Sequence, residues 1–325
     1  MALLTFRRLR IFNLAAFALQ LVTGIAILAL TDYDAQSKLP WYTFFITSWS
    51  RDDNAAGFYV PAPKQVASFP TGVWSGVFLL LSAADHLVVS LPGVNTVYNR
   101  LLCANRNPFR WAEYSVSASL MTVMIAELSG VTDIHLLFTL AALMASTMLF
   151  GWQMEVSNGR RIPTFQYSAD SRLPPAELPP GKGFPSASVS ATAGVPASFI
   201  SNAAYAPGPG DSTFGGDSPS RPRIEWCPFL MGCWPFVAAY AVIGCYFFQA
   251  VANGDPPGFV WAIIFILFIL YSLFAVNQVL QFKQVRGWRG FAAAEWWYIL
   301  LSLTSKQLLA WIAYGGTKRF SSEGN

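Results

Sequence analysis

Seven apolar runs recur along this chain, each of about 20 residues or more and so long enough to cross roughly 30 Å of hydrocarbon. Inside lipid every backbone N–H and C=O must be satisfied within the segment, so each run is expected to be a helix. The runs cover roughly Ile11–Leu30 (span A), Thr71–Leu91 (B), Pro108–Leu128 (C), Ile134–Met154 (D), Trp226–Val251 (E), Pro257–Phe282 (F) and Phe291–Tyr314 (G). Span C is the least apolar, because Glu113 and several serines lie in it. The expected fold class is an all-α membrane protein, a single seven-helix bundle over residues 1–325.

Composition agrees. Hydrophobic residues are 54% and charged residues 12% of the 325, about half the charge of an average soluble domain. That leaves too few charged residues to coat a soluble protein of this size. An ordinary cytosolic enzyme and a nucleic-acid binder are therefore not expected, and the net charge of +4 includes no basic run able to follow a phosphate backbone. Cys103, Cys227, Cys233 and Cys245 form no C-x-x-C pair, and the chain has two histidines, so neither a metal site nor a disulfide framework is expected. Arg7, Arg8 and Arg10 precede an apolar run with no small-residue cleavage site after it, which reads as a retained first helix rather than a signal peptide.

The connections differ. Residues 31–70, between A and B, are polar with interleaved aromatics such as Trp41-Tyr42-Thr43-Phe44-Phe45, and a small β-hairpin on the membrane surface is expected there. Residues 155–225, between D and E, hold 9 Pro, 7 Gly and 9 Ser between Ser171 and Ser220, and a largely disordered insert is expected. Fifteen Lys and Arg fall on the side of the N-terminus and five on the other. This asymmetry places the N-terminus in the cytoplasm, the C-terminus and the A–B loop outside, and the D–E insert in the cytoplasm.

An ionisable side chain within a span is a functional hypothesis by default. Lys306 lies mid-way along G, too deep to snorkel easily, where a charged lysine costs roughly 2.5–3.5 kcal/mol. It is either a structural partner in a salt bridge or polar cavity, or an amine kept for covalent attachment to an aldehyde. Glu113 in C is the best-placed carboxylate to balance it, or else half of an interfacial pair with Arg110, one turn away. His86 in B lies at a depth similar to that of Glu113, and a histidine near a carboxylate suits proton acceptance near neutral pH. Ser302 sits one turn before Lys306. Asp85, Glu127, Glu295 and His135 read as interfacial. One difficulty stands: by residue count Lys306 is about 16 residues into G, while Glu113 is about five into C. The lean of a lysine toward its helix N-terminus narrows that gap without closing it. Aromatics are dense in E to G (Trp234, Phe236, Tyr240 and Tyr271 among them), and spacing alone does not sort pocket from packing.

Two strings carry a family resemblance. Arg110-Trp111-Ala112-Glu113-Tyr114-Ser115-Val116-Ser117-Ala118-Ser119-Leu120-Met121 resembles the third-helix signature of heliorhodopsins, and Glu295-Trp296-Trp297-Tyr298 with Leu301-Ser302-Leu303-Thr304-Ser305-Lys306 resembles their seventh. Asn277 and Gln278 in F also fit. The resemblance implies all-trans retinal on Lys306 as a protonated Schiff base, with Glu113 as counterion and Ser302 holding the pair. Ser117, Met121, Trp234 and Tyr271 would contact the chromophore. It implies a proton-transfer network of His86, Ser82, Arg110, Tyr114 and Gln20. Many relatives carry a histidine in the first helix, where Gln20 stands here, and the long D–E insert is not typical of them.

The expected function is a light-sensing photoreceptor, not an enzyme, with internal proton transfer and no net ion pumping. A light-gated proton channel is the alternative, for which Glu127, Asp133 and His135 cluster near the outer face. A transporter with a substrate-binding lysine is a third reading, which predicts inverted repeats that the sequence lacks. The expected partners are retinal, the lipid bilayer of the plasma membrane, a second copy of the chain, and an unidentified cytoplasmic signalling protein.

Overall fold

A computed structural model describes residues 6–33, 41–51, 59–162, 223–288 and 291–323. The expected disorder of the D–E insert falls on residues outside these. Eight α-helices and one two-stranded sheet are described: α1 (Phe6–Leu30), β1 (Trp41–Arg51), β2 (Tyr59–Pro70), α2 (Thr71–Val88), α3 (Val94–Cys103), α4 (Pro108–Leu128), α5 (Ile134–Asn158), α6 (Cys227–Asn253), α7 (Gly258–Phe282) and α8 (Phe291–Glu323). Five of the helices (α1, α2, α5, α6 and α7) are long and apolar enough to cross a membrane. Helices α4 and α8 coincide with spans C and G but carry more charge, including Arg110, Glu113 and Glu127 in one and Glu295 and Lys306 in the other.

Local chemistry sets the helix ends. Asn107 caps α4 by accepting from the Arg110 N–H, with Pro108 at the first helical position, where its missing N–H does no harm. Asp133 caps α5 by accepting from the N–H groups of His135 and Leu136. Between α2 and α3 the chain turns at Gly93, whose φ of 85° suits glycine. The short amphipathic α3 lies in what the sequence presents only as a connection.

The seven longer helices pack as a ring, with α1 against α2, α2 against α4, α4 against α5, α5 against α6, α7 against α8, and α8 back against α1 and α2. Helices α1 and α2 approach closely because small residues line their contact: a Cβ on Gly76 would lie 2.4 Å from Leu28 Cγ. Helices α6 and α7 meet through rings, among them Phe236 on Phe268 and Phe247 on Trp261. Proline 235 sits inside α6, where it removes one backbone hydrogen bond.

The expected hairpin is present between α1 and α2. Its strands pair antiparallel with an irregularity at Phe44/Phe45, where the Phe45 N–H donates to the Thr132 carbonyl in the α4–α5 turn. The hairpin marks one end of the bundle, and α3 marks the other.

At the α3 end, residues flanking the undescribed stretch 163–222 are fastened together. Asn158 Nδ2 donates to the Glu225 carbonyl at 2.9 Å, and the Glu225 N–H returns a bond to Asn158 Oδ1 at 2.8 Å. Arg161 adds bonds to the Arg223 carbonyl and the Glu225 carboxylate. Asn105, held at φ 57°, donates to the carbonyls of Gly159 and Ile162.

Candidate functional site: a lysine between an apolar and a polar cavity

Lys306 is 2% exposed. Its Nζ donates to Glu113 Oε1 at 2.8 Å and to Ser302 Oγ at 2.9 Å, and lies 5.3 Å from the centre of the Tyr114 ring. Ser82 donates to the same Glu113 oxygen. An ammonium and a carboxylate buried together need this kind of extra satisfaction, since the desolvation of each ion is large.

The depth mismatch is resolved by two long side chains that lean the same way. Helices α4 and α8 run in the same direction, and Arg110 bonds Glu295. From there α8 rises about 16 Å to Lys306, while α4 rises only about 4.5 Å from Arg110 to Glu113. Side chains tilt toward the helix N-terminus, so Arg110 reaches down to Glu295 and Lys306 reaches down to Glu113. Between them they span the difference of about 12 Å.

Arg110 is not the partner of Glu113. Its guanidinium is shared between Glu155 of α5 and Glu295 of α8 and lies over the Tyr298 ring at 3.8 Å. Glu295 also accepts from Asn107 Nδ2 at 2.7 Å and from the Tyr98 hydroxyl at 3.0 Å, and Glu155 accepts from the Asn107 N–H at 2.9 Å. Glu295 is therefore buried, not interfacial, and Glu155, which the sequence reading passed over, is 0% exposed.

His86 is buried and its Nδ1 lies 2.8 Å from Asn13 Oδ1. Asn13 Nδ2 donates to the Leu9 carbonyl, so its oxygen is the acceptor, Nδ1 of His86 carries the proton, and Nε2 keeps its lone pair. A polar cavity with about 300 Å³ of empty space, its open side included, is bordered by Asn13, Asp85, His86, Tyr98, Asn107, Arg110, Glu113, Tyr114 and Glu295. Asp85 thus faces the interior of the bundle and not its boundary.

On the other side of Lys306 lies an apolar cavity with about 790 Å³ of empty space, its open mouth included. Ser117, Met121, Tyr271 and Ser302 line it, together with Trp111, Met148, Phe229, Phe236 and Phe274. The Trp111 ring lies against Gly151, where a Cβ would fall 2.2 Å from it. Trp234 does not belong to this wall. It is 76% exposed on the outer face of α6, whose inward residues are Pro228, Phe229, Gly232, Cys233 and Phe236. At 100° per residue, a ring adjacent to Cys233 is turned away from the pocket.

Gln20 is fully buried with neither amide atom hydrogen-bonded among the described residues, and it does not border the polar cavity. Glu127, read as interfacial, is 8% exposed with both carboxylate oxygens unpartnered. Asp133 and His135 are more open, at 32% and 66% side-chain exposure, and lie 3.4 Å apart.

A largely apolar cavity with a single amine among its lining residues fits retinal: rings and aliphatic side chains for a polyene, and one nucleophile for an aldehyde. The heliorhodopsin family model matches residues 9–169 and 217–318, leaving out the middle of the D–E insert. No curated protein matches the chain.

Proposed function

This chain belongs to the heliorhodopsin family, and from that premise we propose that it is a light-sensing retinal photoreceptor that transfers a proton internally and pumps no ion. The observation that carries the reading is the Lys306 amine, which lines the apolar cavity and lies 2.8 Å from Glu113, a border residue of the polar cavity. Lys306 would hold all-trans retinal covalently, and Trp111, Met121, Phe236 and Tyr271 would enclose it. When bound, retinal supplies the absorption of light and an isomerisation that displaces the Lys306 nitrogen.

Glu113 balances the positive charge at Nζ, and Ser302 and Ser82 hold that pair in register. His86, with Nε2 free to accept, stands in the polar cavity toward the α3 end. A proton leaving Nζ therefore has acceptors on one side. On the other side stand Ile27, Phe78, Leu79, Met124, Ile125, Ile243 and Leu309, all buried and apolar. That layer supports internal transfer over a light-gated proton channel. We take the bundle to be seven-spanning in the plasma membrane, with a cytoplasmic N-terminus and extracellular C-terminus, to act as a dimer, and to pass its signal to a cytoplasmic partner.

Expression with all-trans retinal, visible spectra and borohydride reduction test this reading. The expected results are a coloured wild type labelled at Lys306, a colourless Lys306→Ala, and a red-shifted or more pH-sensitive Glu113→Gln. Photocurrents that follow the proton gradient would sink the sensor reading in favour of the channel.

A further inference from the structure

The polar cavity and the groups bonded to it hold more acid than base. Four carboxyl groups belong to this network, those of Asp85, Glu113, Glu155 and Glu295, against two cations, Arg110 and Lys306. Arg110 is divided between Glu155 and Glu295, and Lys306 is engaged by Glu113. Asp85 is left over: it forms no side-chain hydrogen bond or ion pair among the described residues, although it borders the cavity that Glu113 and His86 border.

The other groups facing this space are committed elsewhere. Tyr98 and Asn107 donate to Glu295, Tyr114 donates to the Tyr298 carbonyl, and His86 Nδ1 donates to Asn13. Arg10, from α1, is tied to the Ser90 carbonyl. A proton released into this space while Asp85 is ionised is held most favourably there, at the carboxylate with no cation beside it. Glu113 is a poor resting place for a proton from Lys306, because it stays within hydrogen-bond reach of the donor and the proton can fall straight back.

We propose that Asp85 is the proton-holding group of the light reaction, receiving across the polar cavity, by way of His86 Nε2, the proton that leaves Lys306 Nζ. An N–H bond breaks at Nζ and an O–H bond forms at Asp85. Nζ loses its positive charge and Asp85 its negative one, so the net charge of the cavity is unchanged. The proton returns by the same path in the dark. This rests on the photoreceptor reading and adds the identity of the group on which the proton waits.

The test is light-minus-dark infrared difference spectroscopy on full-length pigment reconstituted with all-trans retinal, unlabelled and with ¹³C at the aspartate side-chain carboxyl. A protonated-carboxyl band is expected to rise together with the state in which Nζ is deprotonated, and to shift with the aspartate label. It should vanish in Asp85→Asn and move in Asp85→Glu, and Asp85→Asn should shorten the lifetime of the deprotonated state about tenfold or more, a modest share of what a positioned acid–base group contributes. The labelling arm needs no substitution, so a variant that does not fold cannot block the test. A band insensitive to the aspartate label, or unchanged band and lifetime in Asp85→Asn, overturns the proposal while leaving the photoreceptor reading intact. A wild type that forms no pigment overturns both.

Discussion

The two ends of the bundle handle polar groups in opposite ways. Toward α3, side chains bond across elements: Ser82 of α2 to Glu113 of α4, Arg110 of α4 to Glu155 of α5 and Glu295 of α8, and Tyr98 of α3 to Glu295. Toward the hairpin, several hydroxyls turn inward on their own helix or onto sulfur, although the Tyr314 hydroxyl donates across to the Leu30 carbonyl. Thr122 bonds the Ala118 carbonyl, Thr31 the Ile27 carbonyl, and Ser75 the sulfur of Met124. The remainder of that half is a close-packed apolar cluster. The first arrangement fixes which helix faces which and can redistribute charge; the second mostly supplies packing, with Glu127 as its one buried carboxyl among the described residues. Lys306 stands at the boundary, so one residue meets both environments.

Removing the central cation should separate the halves most sharply. Arg110→Gln leaves two buried glutamates without their shared partner, and a loss of about 3–5 kcal/mol is expected, seen as a large fall in the thermal stability of the purified protein. A loss below about 1 kcal/mol would mean the network is more solvated than its burial implies. The apolar slot should respond more mildly. Gly151→Ala brings a methyl group into the Trp111 ring, and overpacking of this kind costs about 1–3 kcal/mol. Because the ring lines the slot, a shifted absorption band should accompany the lower melting temperature. An unchanged spectrum would show that Trp111 moves without consequence for the chromophore.

The smallest effects are expected at Glu127 and Trp234. Glu127→Gln removes a carboxyl with no partner at the hairpin end, and stability and photocycle should stay close to wild type, within about 0.5–1 kcal/mol. A large change in light-driven proton movement in this variant would break the contrast, since it would reveal a route through the apolar half. Trp234→Ala removes an outward-facing ring and should leave the absorption maximum in place.

Part of this was legible in the sequence. A lysine in the middle of an apolar run is conspicuous because lipid penalises it, and Glu113 follows as the nearest deep carboxylate. The hairpin follows from aromatic alternation, and the helix boundaries from hydropathy. The acidic cluster was not legible. Depth counting treats the end turns of each span as facing water, and so assigned Asp85 and Glu295 to an interface, while Glu155 fell just past span D and was given no role. Here α3 and the α3–α4 turn cover that end, and the covered turns become interior. Trp234 was misassigned for a related reason: in a helix apolar all round, composition does not say which side looks inward.

The fastening between Asn158 and Glu225 has a consequence for how such a chain can change. The two segments that flank residues 163–222 are bonded to each other through Asn158 and Glu225. Loop closure grows only slowly with length, by about 0.6 kcal/mol per doubling. Material added or removed between those anchors is therefore nearly free of structural penalty, which makes this the position where such a receptor can acquire a new appendage without retuning its pigment.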